Sequence, residues 1–225
     1  MNSNESNTET TAIVSTATRV NELLEKITMQ EKIGQMSQFA NRKTITDDFR
    51  EAIRQGNVGS ILNEVDEEKL KELQKIAREE SRLGIPIIIG RDVIHGFQTM
   101  MPIPLGQAAS WNPELIEKGA RVSAIEAASA GIHWTFAPMI DISRDPRWER
   151  IAETLGEDTY LTSVLGTAMV KGFQGDDLSK SDSIAACAKH FAGYGYSEAG
   201  KDYAYVNISE NELRNVVLPP FKAAA

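Results

Sequence analysis

The sequence predicts an α/β fold: a parallel (β/α) barrel of the TIM type, incomplete, with about four of the eight βα units present. Three observations predict it. Short apolar runs alternate with stretches of helical spacing, which implies right-handed βαβ units and hence a parallel sheet. The run Ile85 to Gly90 (IPIIIG) is apolar throughout, as a strand buried on both faces requires. Finally, 225 residues fall short of the about 250 that a closed eight-stranded barrel typically takes.

Residues 1–18, beginning MNSNESNTETT, read as a disordered polar tail, and 19–225 as one barrel-type domain. Val20, Leu23, Leu24 and Ile27 share a helical face. Thr28, with Glu31 three positions on, forms a capping box that opens a second helix through Ile33 and Met36. Val58 to Leu62, preceded by Gly56, is a short buried strand, and Asp66 caps the helix bearing Leu70, Leu73 and Ala77. After IPIIIG, a long connection rich in Pro and Gly runs to Trp111. Asn112 as N-cap and Pro113 at the first helical position then start a helix ending at Gly131. His133 to Asp141 is the third strand, Leu161, Leu165, Ala168 and Met169 mark the next helix, and Ser183 to Phe191 is the fourth strand. Ser209 and Glu212 make another capping box before Leu213, and Pro219 and Pro220 interrupt the helical pattern after Val217.

Composition narrows the function. With 41% hydrophobic and 25% charged residues the chain is a folded globular one. Its net charge of −8 repels nucleic acid and anionic membranes and suits an uncharged ligand such as a sugar. The lone cysteine, Cys187, permits no intrachain disulfide. His95, His133 and His190 lie far apart with no HExxH or CxxC pair, so neither a metal site nor a cofactor is expected. No strand is followed by GxGxxG, which argues against a nucleotide-binding fold. There is no apolar run long enough for a membrane span. The N-terminus lacks the basic and apolar segments of a signal peptide, so the expected compartment, as the chain stands, is cytoplasmic.

In parallel α/β folds the working residues sit at the C-terminal ends of strands. Three places put polarity there. Asp92 follows IPIIIG; its carboxylate can accept two sugar hydroxyls, or it is a helix cap or a partner of Arg91. Nearby His95 reads as a packed loop residue. The stretch Asp141 to Tyr160 carries Arg144, Arg147 and Arg150 among five acids, with Trp148 adding a large apolar face. One arginine reaching a pocket while the others buttress the loop is the physical reading. Lys189 and His190 end the apolar run SIAACA, where a buried ammonium must find acceptors unless it snorkels to solvent.

The order GRDVIHG, FAPMIDISRDPRWERIAETLGEDTY, CAKHFAGYG and LPPFKAA resembles the N-terminal barrel domain of glycoside hydrolase family 3, from about Val20 to Ala225. The resemblance implies that Asp92, Arg150, Lys189 and His190 bind the sugar on the non-reducing side of the cleaved bond. Singling out Arg150 comes from the family. Relatives that cleave N-acetylglucosamine carry KHFPGHG; Ala192 and Tyr194 here point to the β-glucosidase and exo-glucanase branch. Glu149 departs from the glycine most relatives have, which bears on the placement of Arg150.

A retaining glycosidase needs a nucleophile and an acid/base, two carboxylates about 5–5.5 Å apart. The resemblance puts both beyond residue 225, so no catalytic residue is assigned within the chain. The expectation is a fragment of a retaining β-glucosidase that binds a β-glucoside or oligosaccharide but does not cleave it. A non-catalytic sugar-binding or assembly module is the alternative. A half-barrel has unpaired edges, so a homodimer or a complementing C-terminal half is the expected protein partner.

Overall fold

The computed structural model describes residues 15–40 and 43–225. Residues 1–14 of the expected tail lie outside them, while Ser15 caps the first helix, α1 (Thr16–Lys26), by accepting the Thr18 N–H. α2 (Met29–Gln35) opens on the expected capping box: the Thr28 hydroxyl accepts the Glu31 N–H, and the Glu31 carboxylate accepts the Thr28 N–H. Then come β1 (Gln38–Ala40), α3 (Asp47–Arg54), β2 (Ser60–Leu62), α4 (Glu67–Lys75) and β3 (Ile88–Arg91). Next are α5 (Pro104–Ala108), α6 (Pro113–Ser129), β4 (Trp134–Thr135) and α7 (Thr159–Gln174). The chain closes with α8 (Glu210–Glu212), a π-turn over Leu213–Val217, and α9 (Pro219–Ala224).

The four strands form one parallel sheet in the order β1-β2-β3-β4, with helices between them. This is the expected barrel-type α/β arrangement, open at both edges. Its strand set differs from the expectation. β1 is a strand the hydrophobic pattern does not reveal. The run Ser183 to Phe191 joins β4 and its extension only through isolated parallel bridges, Trp134 to Ala185 and Met139 to Lys189. Between those bridges lies Pro138, which has no N–H to give a ladder. The start of IPIIIG is also not strand: both backbone groups of Ile87 are taken by the Gln74 side chain, at 3.1 and 2.7 Å.

The core lies between the sheet and its helices, around Ile61, Ile89, Leu165, Phe173 and Ile184, each at most 1% exposed. α6 and α7 pack closely because Gly172 has no side chain: a Cβ there would lie 2.4 Å from the Glu117 carbonyl oxygen. Among the described residues no helix is long and apolar enough to cross a membrane.

Glu31 also joins α2 to the segment before β3. Arg82 Nε donates to it at 3.0 Å, and the hydrogen bonds from Arg82 and Thr28 pull its carboxyl from 4.5 down to about 2. A depressed folded-state value contributes stability that is complete above the unfolded value and lost as pH falls through the folded one. The melting-temperature gap between wild type and Glu31→Gln is therefore expected to be widest above pH 4.5 and to close toward pH 2. A gap constant across that window in thermal melts would contradict the assignment.

Candidate functional site

The three polar strand ends meet on one rim of the sheet. Asp92 immediately follows β3. Lys189 bridges Met139, two residues before Asp141, and His190 comes next. Asp92 caps no helix, since α5 starts only at Pro104, and it pairs with Lys189: Nζ donates to Oδ2 at 2.8 Å. Arg91 turns away to lie over the Phe97 ring. The Lys189 side chain is 10% exposed, whereas that of Asp92 is 44% exposed, so the carboxylate stays open to a ligand.

His190 is fixed from behind. Asp141, with a side chain 0% exposed, accepts both the His190 backbone N–H at 2.8 Å and the ring Nδ1–H at 2.9 Å through Oδ2. That leaves Nε2 facing Arg150, whose Nη1 lies 3.2 Å away. Arg150 is itself held by a two-pronged fork to Glu153, Nε and Nη2 each donating at 2.7 Å. This fork keeps the Glu153 carboxyl below the usual range and raises the guanidinium further above its own.

The other two arginines serve the loop. Arg144 pairs with Glu212 at 2.9 Å, and Arg147 forks onto Asp145, holding that carboxyl at about 2. The Arg144 contact accounts for a second difference from sequence. Ser209 caps α8, but Glu212 turns to Arg144 and to the Tyr196 hydroxyl instead of closing a capping box. Glu149 is exposed and takes part in no ion pair among the described residues, so the departure from glycine leaves the Arg150 fork intact. Trp148, 1% exposed, anchors the loop from beneath.

The structure thus brings Asp92, Lys189, His190 and Arg150 together as two linked pairs. His95 stands apart, its Nδ1 against the Met101 carbonyl at 3.1 Å. A cavity of about 720 Å³ between α6 and α7, lined by Lys118, Arg121, Lys171 and Asp182 among others, shares no residue with the cluster. Sequence reasoning gave Asp141 and Glu153 no role; the structure makes them the supports of His190 and Arg150. It also missed Tyr194, whose ring lies 5.6 Å from the Arg150 guanidinium and packs edge-on to the His190 ring at 4.8 Å. Cys187, two residues before Lys189, is half-buried, and burial raises its thiol above the ordinary value, away from nucleophilic chemistry.

Comparison with known proteins gives these motifs a family. The chain is 44% identical over 205 residues to a periplasmic β-glucosidase of Salmonella typhimurium, covering 91% of this chain and 27% of that enzyme. It is 36% identical over 229 residues to a putative β-xylosidase of Formosa agariphila, covering 92% of this chain and 30% of the relative. The crystal structure of a Listeria innocua β-glucosidase in complex with glucose superposes with a TM-score of 0.82 at 40% identity, over 92% of this chain and 31% of that one. The chain therefore spans less than a third of each. A family model described as the glycosyl hydrolase family 3 N terminal domain matches residues 28–225, and this chain belongs to that family.

Proposed function

We propose that the chain supplies the sugar-binding part of a β-glucosidase-type O-glycosyl hydrolase, and that Asp92, Lys189, His190 and Arg150 bind the hydroxyls of one non-reducing terminal β-D-glucosyl ring. The observation that carries this reading is the convergence of the pairs Asp92–Lys189 and Arg150–His190 on one sheet rim. The half-exposed Asp92 carboxylate accepts two neighbouring hydroxyls, while Lys189 keeps two ammonium protons to donate beyond its bond to Asp92. Both cations are held by carboxylates, so little ordering is left to occur on binding. The β-glucosidase relatives and the glucose-bound Listeria structure support a neutral hexose as ligand. The compartment named for the Salmonella relative supports a periplasmic setting.

Hydrolysis with retention needs two free carboxylates flanking the anomeric carbon. Asp141 is buried against His190, and Glu153 is committed to Arg150. Neither is available to attack. The chain alone is therefore expected to bind glucose without turning over an aryl β-glucoside. A titration of the chain with glucose, followed by amide chemical shifts at Asp92, Lys189 and His190, tests the first part; unmoved signals at saturating sugar would remove the proposed site. Release of the aryl group by the purified chain would overturn the second. The open sheet edges support a protein partner that adds strands, either a second copy or the other half of a barrel.

A further inference from the structure

The loop after Lys189 and His190 folds back beneath the site through three residues in the left-handed region: Ala199 (φ 57°), Gly200 (φ 68°) and Tyr203 (φ 57°). Two of them are not glycine, a conformation that carries a steric cost unless the surroundings enforce it. Gly200 lies directly on the loop that carries Arg150: a Cβ there would sit 2.8 Å from the Trp148 backbone nitrogen. Held between Gly200 and Tyr203, Asp202 uses one oxygen, Oδ1, for two donors on different rings. The Tyr194 hydroxyl donates to it, and so does the Trp148 indole N–H, at 3.4 Å.

Tyr194 links that carboxylate to the site. Its ring meets Trp148 edge-on at 5.1 Å, His190 edge-on at 4.8 Å and the Arg150 guanidinium at 5.6 Å. Rotation of the phenol about its ring axis or a tilt of the ring displaces both partners at once. Glu153 restrains Arg150 from one end and Asp141 restrains His190 from one side. Neither restraint sets the distance between the guanidinium and the imidazole. The ring wedged against both does, and its far end is pinned at Asp202.

We propose that Asp202 is a positioning residue for the Arg150–His190 pair, acting through the Tyr194 ring, and so sets the affinity of the sugar site; its effect on affinity rests on the sugar-binding reading above. Asp202 touches neither the pair nor a ligand lying on it. Its work is done through the hydroxyl of Tyr194, so the acceptor oxygen is what counts.

The test uses this chain with three substitutions, Asp202→Ala, Tyr194→Phe and Asp202→Asn, and two readouts. The first is the imidazole ¹⁵N signals of His190 in the absence of sugar; the second is glucose affinity by titration. Asp202→Ala removes the acceptor and Tyr194→Phe removes the donor while keeping the ring. Both are expected to move the His190 Nε2 signal and to weaken glucose binding roughly tenfold, the scale of a lost hydrogen bond to a charged group. Asp202→Asn retains an acceptor oxygen and is expected to restore both readouts toward wild type. If one variant fails to fold, the other still breaks the same bond. A residue that only stabilised the fold would lower the melting temperature and leave His190 and the affinity of the folded protein unchanged; that result overturns the proposal. A wild-type chain that binds no glucose overturns the sugar-site reading instead, and the His190 signals then decide the positioning role alone.

Discussion

Lys189→Met is expected to abolish measurable glucose binding while leaving the fold as stable as before, or slightly more so. The two effects separate because the partners of this ion pair differ in exposure. The Lys189 ammonium is nearly enclosed and pays for desolvation, whereas Asp92 is 44% exposed and rehydrates when its partner leaves. Cutting a fully buried pair costs about 3–5 kcal/mol because a charge is stranded without water. Here no charge is stranded, and a methionine of similar length fills the space with apolar atoms, so the net change is expected within about 1 kcal/mol of zero. Binding has no such compensation. A charged donor and the fixed orientation of Asp92 are lost together, which corresponds to roughly a hundredfold or more in affinity. Urea unfolding and glucose titration on the same sample check both halves. A loss of several kcal/mol would mean that the pair is structural.

Trp148→Ala is expected to be the most damaging single change to the fold at the site, at about 3–5 kcal/mol for removing a fully buried indole. Against a total stability of about 5–15 kcal/mol that is a large share. The ring packs on Tyr194, its N–H is satisfied by Asp202, and its backbone carbonyl accepts the Ile151 N–H at the turn that leads to Glu153. Removing it leaves a cavity under the loop and frees Arg150 from its surroundings. Trp148→Phe keeps most of the packing and is expected to cost far less. Denaturant curves for the two variants supply the comparison; equal and small losses for both would show that the loop is anchored elsewhere.

How far the sequence spoke for itself depended on where each constraint lay. IPIIIG declares a buried strand through its own β-branched residues, and the Thr28–Glu31 capping box and the Asn112–Pro113 helix start are written within four residues each. β1 is three residues long, and its strand character comes from pairing with β2 twenty-two positions away, as in Gln38 with Ser60. α3 buries only Phe49 and Ile53, too few for its period to stand out. At the site, Asp92, Lys189 and His190 were legible because charge at the end of an apolar strand is conspicuous. Arg144, Arg147 and Arg150 were equivalent on physical grounds. Packing sorts them, since the partner of Arg144 is Glu212, far along the chain. Asp202 and Tyr194 could not be read at all, because their meaning depends on a turn made by two residues in an uncommon backbone conformation.

The fork of Glu153 on Arg150 and the bond between Lys189 and Asp92 have an electrical consequence. Each cation at the rim already owns a counterion, and Asp141 lies spent against the imidazole. A uronate or an amino sugar arriving there would find no complement left unclaimed, and would have to pry an existing partnership open to be seated. A plain polyol asks only for dipoles. The same matching of signs shields the hollow from ionic strength, so discrimination among hexoses by their net charge comes built into the resting protein.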